Sequence, residues 1–151
     1  PPLAPRVHVD DGDLLEWFVL IQGAHDTPYE RGWYVMKIKF KPTYPFAAPA
    51  VSVLTPNGRF AENQSICMSM TEWHQESWNP AWSSQAIVTG FISFMSANEH
   101  TSGGVRTTDE EKKRLAAVSL AWNAAQPGLV KKFPELADAE AMKALETAKP
   151  R

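Results

Sequence analysis

The sequence predicts an α+β fold, in which a run of β-strands is followed by a run of α-helices. Up to residue 55 the apolar residues alternate with a period of two, which is typical of strands, and from Ser83 onward they recur with helical spacing. The length of 151 residues, with 44% hydrophobic and 21% charged side chains, fits one globular domain over residues 1–151. We therefore expect a single layered domain with strands first and helices after them.

Three strands are predicted by the alternation, over residues 14–21, 33–40 and 51–55. Both faces of the first strand are apolar, so both are expected to be covered, whereas Lys37 and Lys39 give the second strand a face toward water. The connection between these two strands contains no helical pattern, which favours an antiparallel pair because a parallel crossover needs a helix. Pro49 and Pro56 bound the third strand. The chain is expected to open on a loop.

The first predicted helix begins at Ser83 or Ser84, since serine is favoured at helix N-caps. Its apolar stripe is wide enough to predict a central, mostly buried helix, and consists of Ile87, Val88, Phe91, Ile92, Phe94 and Met95. Residues 56–82, which precede it, follow neither period and are expected to form a long ordered loop of the kind that carries function.

The second predicted helix begins after Thr108, which has capping-box spacing with Glu111. Leu115, Val118 and Trp122 are expected to form its apolar stripe. The Gln-Pro-Gly sequence at residues 126–128 is expected to end it. A last helix, rich in strong helix formers, is expected over roughly residues 135–148.

Charge and composition exclude several classes of protein. A net charge of −2 and a pI near 6.1 give no general attraction to phosphate backbones, so nucleic acid is not an expected partner. The longest nearly apolar stretch, residues 86–95, is about half of what a membrane span requires. The first residues lack the pattern of a secretory signal, and a single cysteine is consistent with a reducing, cytosolic setting.

The single cysteine, Cys67, cannot form an internal disulfide, and no neighbouring Cys/His cluster accompanies it for a metal site. It is therefore either buried packing or a nucleophile. A lone cysteine is more typical of packing, and Asn57, within Pro-Asn-Gly, is by itself more typical of a turn. What favours reactivity is the pairing of the thiol with an amide-bearing segment ahead of it and a Trp- and Pro-rich segment behind it.

Five short motifs occur in a fixed order around these residues. They are Thr27-Pro28-Tyr29 with Gly32, Tyr44-Pro45-Phe46 with Pro49, Thr55-Pro56-Asn57, Ile66-Cys67, and Trp78-Asn79-Pro80-Ala81-Trp82-Ser83. Each motif alone is weak, but their order and spacing together resemble the catalytic domain of ubiquitin-conjugating enzymes over nearly the whole chain. The resemblance implies a four-stranded antiparallel meander packed against a central helix, with C-terminal helices and without the family's N-terminal helix.

The resemblance also implies a chemistry. Cys67 would accept ubiquitin from an activating enzyme as a thioester, without a cofactor or metal, and pass it to a lysine of a protein substrate with a RING-type ubiquitin ligase. A thiol suits this role because its thiolate is a strong nucleophile and its thioester stays reactive toward amines. Asn57 would stabilise the oxyanion formed in each transfer. Phe46, Pro80 and Ala81 would contact the ligase, while Trp78 is expected in the core.

Two positions depart from the family pattern. Thr55 stands where the family usually has histidine, and we expect it to be structural, its hydroxyl replacing part of what an imidazole would bond. Ser69 stands where an aspartate often assists the acceptor, so Glu99 and His100 are candidates for that assistance. Their alternative interpretation is a solvated loop charge and a surface imidazole.

The run Thr-Pro-Asn-Gly-Arg-Phe at residues 55–60 and the Phe94-Met95 ending of the central helix resemble one branch of the family more closely. This is the tail-anchored, J-type branch of endoplasmic reticulum quality control. It implies a membrane anchor beyond Arg151, a location on the cytosolic face of the endoplasmic reticulum for the full-length protein, and a lysine or hydroxyl acceptor.

Two other functions remain open from the sequence. One is a catalytically inactive variant of the same fold that binds ubiquitin or ligases. The other is a cysteine hydrolase, which needs a histidine such as His74 to reach Cys67.

Overall fold

The computed structural model describes residues 5–68, 70–97 and 101–147. Its sheet has four strands in the order β1-β2-β3-β4, with every neighbouring pair antiparallel. The strands are β1 (Arg6–Asp10), β2 (Asp13–Gln22), β3 (Trp33–Lys39) and β4 (Ala50–Val53). The predicted α+β class and the four-stranded meander are confirmed.

Strand β1 was not predicted from the sequence, and the loop expected at the start of the chain falls on residues 1–5, of which only Pro5 is described. Its five residues include only two apolar ones, so the alternation is too short to detect. The strand is defined by its pairing with β2, where Arg6 lies opposite Leu20 and Val9 opposite Trp17. Short, charged strands of this kind are typical of sheet edges, because they discourage pairing with other chains.

The sheet separates two hydrophobic cores. On β2, Val19 and Ile21 point to the first core, whereas Phe18 and Leu20 point to the second. Both faces of this strand are therefore covered from Phe18 onward, as predicted, whereas Leu14 and Leu15 near its start are exposed. On β3, Trp33 and Val35 also enter the second core, so the water-facing part of that strand is limited to Lys37 and Lys39 at its end.

Helix α1 (Ser84–Ser96) fills the first core. Ser83 is its N-cap, with a side chain that accepts a hydrogen bond from the Ala86 N–H. Ile87, Val88, Phe91 and Met95 are buried against the sheet. The predicted central helix is confirmed.

Helix α2 (Asp109–Ala124) begins after Thr108, whose hydroxyl accepts a hydrogen bond from the Glu111 N–H at 3.1 Å. The predicted start is correct, and the predicted apolar stripe is correct in part, since Trp122 packs against the second core and Leu115 is half-buried but Val118 is exposed. The buried residues are Ala116, Ser119, Leu120 and Asn123. Val118 is 46% exposed, because the helix packs on β3 through small and polar residues that hydrogen-bond to the strand.

The C-terminal elements complete the second core with Leu129, Phe133 and Leu136. The Gln-Pro-Gly sequence ends α2 as predicted, but it also begins α3 (Pro127–Lys132), since proline is well tolerated in the first turn of a helix. A 3₁₀ turn (Pro134–Ala137) and α4 (Ala139–Thr147) replace the single helix predicted over residues 135–148. The break lies at Asp138, whose carboxylate accepts hydrogen bonds from the Glu140 and Ala141 N–H groups. Among the described residues, no helix combines the length and the apolar character needed to cross a bilayer.

Candidate functional site

Cys67 lies in the long stretch between β4 and α1, whose one regular element among the described residues is a 3₁₀ turn (Glu72–Ser77), and the residue is partly exposed. Its backbone is held on both sides. The Cys67 N–H donates to the Ser102 carbonyl at 3.0 Å, and the Thr101 hydroxyl donates to the Cys67 carbonyl. The preceding N–H, of Ile66, donates to the Val51 carbonyl at 2.8 Å. A fixed backbone at a partly exposed cysteine suits a nucleophile.

The segment that holds Cys67 follows helix α1 and spans residues 101–105; we call it the clasp. Gly103 has φ of +85°, and a Cβ on it would lie 2.5 Å from the Ser65 carbonyl oxygen. Glycine is required there because L side chains disfavour this conformation and because the two backbones are in close contact. The clasp thus lies directly on the backbone that leads into Cys67.

The other edge of the clasp pairs with the turn that contains Asn57. Ala61 N–H donates to the Gly103 carbonyl at 2.8 Å, and Val105 N–H donates to the Arg59 carbonyl at 3.0 Å. Thr107 extends the contact through its hydroxyl, which donates to the Gly58 carbonyl at 2.7 Å. The clasp therefore connects the backbone of Cys67 to the Asn57 turn.

Asn57 is 1% exposed and closes its own turn. Its Nδ2 donates to the carbonyls of Thr55 at 2.9 Å and Phe60 at 3.3 Å, and its Oδ1 accepts from the N–H groups of Arg59 at 2.8 Å and Phe60 at 2.7 Å. Both Nδ2 hydrogens are thus engaged. Donation to a developing oxyanion would require one of these two bonds, of which that to Phe60 is the longer, to be exchanged.

Thr55 is fully buried at the start of this turn. Its hydroxyl accepts from the Val35 N–H at 2.9 Å and donates to Oδ1 of Asn123 at 2.6 Å. This hydroxyl joins strand β3, the Asn57 turn and helix α2, as the structural expectation for Thr55 requires. Sequence reasoning missed Asn123, since it lies 68 positions from Thr55 and in no local motif.

Arg59 is a second residue that sequence reasoning missed. Its side chain is buried, with the guanidinium carbon 4.7 Å from the ring centroid of Phe60 and 5.3 Å from that of Phe94. These cation–π contacts fasten the Asn57 turn to the end of helix α1. The only sequence signal is the Asn-Gly-Arg-Phe run, which carries the resemblance to the tail-anchored branch but does not predict what the guanidinium contacts.

The two loops predicted to contact a ligase are tied together. Trp78 Nε1 donates to the Pro45 carbonyl at 2.6 Å, while Gln75 bonds both the Ala48 N–H and the Phe46 carbonyl. Trp78 itself is buried, as expected. The Phe46 side chain is 76% exposed, and Pro80 and Ala81 are exposed as well.

Several predicted residues have no described geometry. Ser69, Glu99 and His100 lie outside the described residues, as does the side chain of His74. The rings of His8 and His25 are described, and they bond to carboxylates of Asp10 and Glu30.

Comparison with known proteins identifies the family of the chain. A family model described as "Ubiquitin-conjugating enzyme" matches residues 1–114, which include the sheet, Cys67, the clasp and helix α1. The chain belongs to the ubiquitin-conjugating enzyme family. Helix α2 beyond residue 114, including Asn123, lies outside the match.

Three relatives in this family are between 42% and 49% identical to the chain. Ubiquitin-conjugating enzyme E2 34 of Arabidopsis thaliana is 49% identical over 82% of this chain and 52% of its own length. E2 6 of Debaryomyces hansenii is 44% identical over 90% of this chain and 57% of its own length, and mouse E2 J2 is 42% identical over 83% and 49%. The chain spans about half the length of these curated relatives.

A solved structure supports the fold. The ubiquitin-conjugating enzyme Pex4p of H. polymorpha, solved in complex with the soluble domain of Pex22p, gives a TM-score of 0.54 over 62% of this chain and 64% of that chain. Its sequence identity is 17%, so the likeness concerns the fold alone.

Proposed function

We propose that residues 1–151 form one catalytic domain that carries ubiquitin as a thioester on Cys67 and passes it to an acceptor. The observation that carries this proposal is that Cys67 is a partly exposed cysteine on a backbone held by the clasp. In the first transfer the thiolate attacks the thioester of a charged activating enzyme, and that enzyme's thiolate leaves. In the second, an amine attacks the Cys67 thioester, loses a proton and expels the Cys67 thiolate.

Both transfers pass through a tetrahedral oxyanion, and Asn57 is the amide donor proposed to stabilise the one formed in the second transfer, to the acceptor. Its turn is joined to Cys67 by the clasp, which supports the assignment. Because its Nδ2 is engaged within the turn, the donor becomes available when the longer bond to the Phe60 carbonyl is exchanged for the oxyanion. Loss of one such donor costs on the order of 10² to 10³ in rate.

Glu99 and His100 remain the candidates for activating the acceptor, which is a lysine or a hydroxyl. A lysine must lose its proton before it attacks, and a nearby carboxylate or imidazole would take it.

The tied loops with Phe46, Pro80 and Ala81 form the proposed ligase surface, supported by the exposure of the Phe46 ring beside a buried Trp78 anchor.

The full-length protein is proposed to act in endoplasmic reticulum-associated degradation, anchored with this domain on the cytosolic face. The support is the resemblance of residues 55–60 and of Phe94-Met95 to the tail-anchored branch. A fluorescent fusion of the full-length protein should colocalise with an endoplasmic reticulum marker. Protease added to cells in which only the plasma membrane is permeabilised should digest this domain. A cytosolic or lumenal distribution would overturn this placement.

The carrier function is tested by incubating the chain with activating enzyme, ATP and ubiquitin, followed by a non-reducing gel. Wild type should form an adduct that thiol reagent removes, and Cys67→Ser should form one that thiol reagent leaves intact. Asn57→Ala should load normally but discharge about 10²-fold more slowly. Phe46→Ala should load normally and lose the stimulation of discharge by a RING ligase. No wild-type adduct, in a chain that still binds ubiquitin, would show the inactive variant instead.

The hydrolase alternative predicts a different outcome in the same assay. It requires an imidazole at Cys67, and the two described rings, of His8 and His25, are bonded elsewhere. A hydrolase would release ubiquitin from a linear fusion without activating enzyme or ATP.

A further inference from the structure

The buried polar contacts of helix α2 lead from Asn123 to the Asn57 turn. Asn123 is fully buried, its Nδ2 donates to the Trp33 carbonyl at 3.0 Å, and its Oδ1 accepts from the Thr55 hydroxyl at 2.6 Å. Both polar atoms of this side chain are thus engaged with β3 or with Thr55. Burying an amide in a core is unfavourable unless its hydrogen bonds are made, so these partners hold Asn123 in one place.

Thr55 transmits this contact to Asn57. Its hydroxyl bonds Val35 of β3 and Asn123 of α2, while its carbonyl accepts one of the two hydrogens of Asn57 Nδ2 at 2.9 Å. The position of that carbonyl decides where the Asn57 amide is held. The other described bonds of the Asn57 side chain lie within the turn itself, so Thr55 is its connection to β3 and α2.

We propose that Asn123 and Thr55 are positioning residues for transfer from Cys67: helix α2, through the Thr55 hydroxyl, fixes the turn that presents the Asn57 amide. The inference rests on the proposed function, since it concerns the donor proposed for the oxyanion. Thr55 and Asn123 act through Asn57 and touch no reacting atom.

Helix α2 supplies a matched control. Ser119, one turn before Asn123, is also buried and also joins α2 to Trp33, since its hydroxyl accepts from the Trp33 N–H at 2.8 Å. That hydroxyl donates to the Ala116 carbonyl within its own helix, so its described bonds do not reach Thr55. Ser119→Ala therefore loses a comparable helix–strand contact while the connection from Asn123 to Asn57 stays intact.

The experiment measures discharge of preformed thioester to free lysine, with loading measured separately. Thr55→Val and Asn123→Leu should slow discharge at saturating lysine about 10- to 100-fold, with loading and the half-saturating lysine concentration nearly unchanged. Thr55→Ser, which restores the hydroxyl, should recover most of the rate. Ser119→Ala should lower the melting temperature but leave discharge within about twofold of wild type.

Two results would overturn the proposal. One is a Ser119→Ala variant that slows discharge as much as Thr55→Val, which would indicate general destabilisation. The other is full additivity: Thr55→Val should add little to Asn57→Ala if it acts through Asn57, so a double variant slowed by the product of both factors contradicts the assignment.

Hydrogen exchange separates this inference from the proposed function. The Arg59 and Phe60 N–H groups are held by Asn57 Oδ1, so their exchange should quicken in Thr55→Val and in Asn123→Leu but not in Ser119→Ala. If wild type forms no thioester, the carrier function fails, while exchange still decides whether Asn123 and Thr55 fix the turn. Unchanged exchange in both variants would refute the positioning role whatever the activity.

Discussion

Gly103 is the residue of the clasp at which an added Cβ would disturb the backbone that leads into Cys67. Its φ is +85°, and a Cβ would approach the Ser65 carbonyl oxygen to 2.5 Å. Gly103→Ala should therefore lower the free energy of unfolding by roughly 1–3 kcal/mol or more, because backbone strain and a steric clash add together. Urea unfolding followed by tryptophan fluorescence measures the change.

Gly128→Ala is the matched control for this substitution. Gly128 lies in helix α3, where a Cβ would have no described atom within 4 Å beyond its chain neighbours and its own helix backbone, and alanine is the better helix former. The control should be neutral or more stable by about 0.4–1 kcal/mol. Equal stability of Gly103→Ala and wild type would mean that the clasp is not packed on the Ser65 backbone.

Residues with a local motif could be proposed as site candidates from the sequence, whereas residues whose partners are distant in the chain could not. Cys67 and Asn57 lie in short motifs that can be recognised in a single sequence. Asn123 and Arg59 lie in no motif that predicts their contacts. Asn123 bonds to Thr55, which is 68 positions away in the chain, and Arg59 contacts Phe94 only once helix α1 is packed. Buried hydrogen bonds between distant segments become visible only when the fold is known.

At the scale of an element, helix α2 shows why periodicity predicted its start but not its buried face. The capping contact of Thr108 with Glu111 is local, so the sequence contains it. The buried face instead includes Ser119 and Asn123, which a count of apolar residues ignores. The difference between the predicted and observed faces is visible in the side chains, since Leu120 is 5% exposed while Val118 is 46% exposed.

A pair of substitutions on this helix tests the observed face. Leu120→Ala should cost about 2–5 kcal/mol of unfolding free energy, because it leaves a cavity between α2 and the C-terminal elements. Val118→Ala, on the exposed face, should stay within about 0.5 kcal/mol of wild type. Comparable losses in both, measured by chemical denaturation, would favour the stripe of Leu115, Val118 and Trp122.

At the scale of the whole molecule, the edge strand β1 is fastened to the C-terminal elements by charge. Lys132 of α3 lies 3.6 Å from the Asp10 carboxylate, and Arg6 lies 3.7 Å from Glu135. Lys132 also covers the Phe18 ring, with its Nζ 4.6 Å from the centroid. The first and last parts of the fold thus meet around the second core, although the match to the family model ends at residue 114.

The contacts of the Asp10 carboxylate make part of the stability depend on pH. A hydrogen bond from His8, reinforced by the charges of Lys132 and of His8 itself, lowers the pKa of Asp10 from its ordinary value despite some desolvation. A carboxyl group whose pKa is lower in the folded chain adds stability above its unfolded value of about 4, and that stability is lost as the pH falls through the folded value. Wild type should therefore lose urea resistance between about pH 5 and pH 3 more steeply than Asp10→Asn.

The neighbouring Asp11 is the control, because it is exposed in the β1–β2 turn and lies outside strand β1. Asp11→Asn should keep the wild-type slope of urea midpoint against pH, while Asp10→Asn flattens it. High salt should reduce the difference in slope between wild type and Asp10→Asn, because Asp10 and Lys132 are both partly exposed to solvent and their attraction is screened. If Asp10→Asn and Asp11→Asn shared one slope, the Asp10 carboxylate and its contacts with His8 and Lys132 would contribute nothing measurable to the acid dependence of stability.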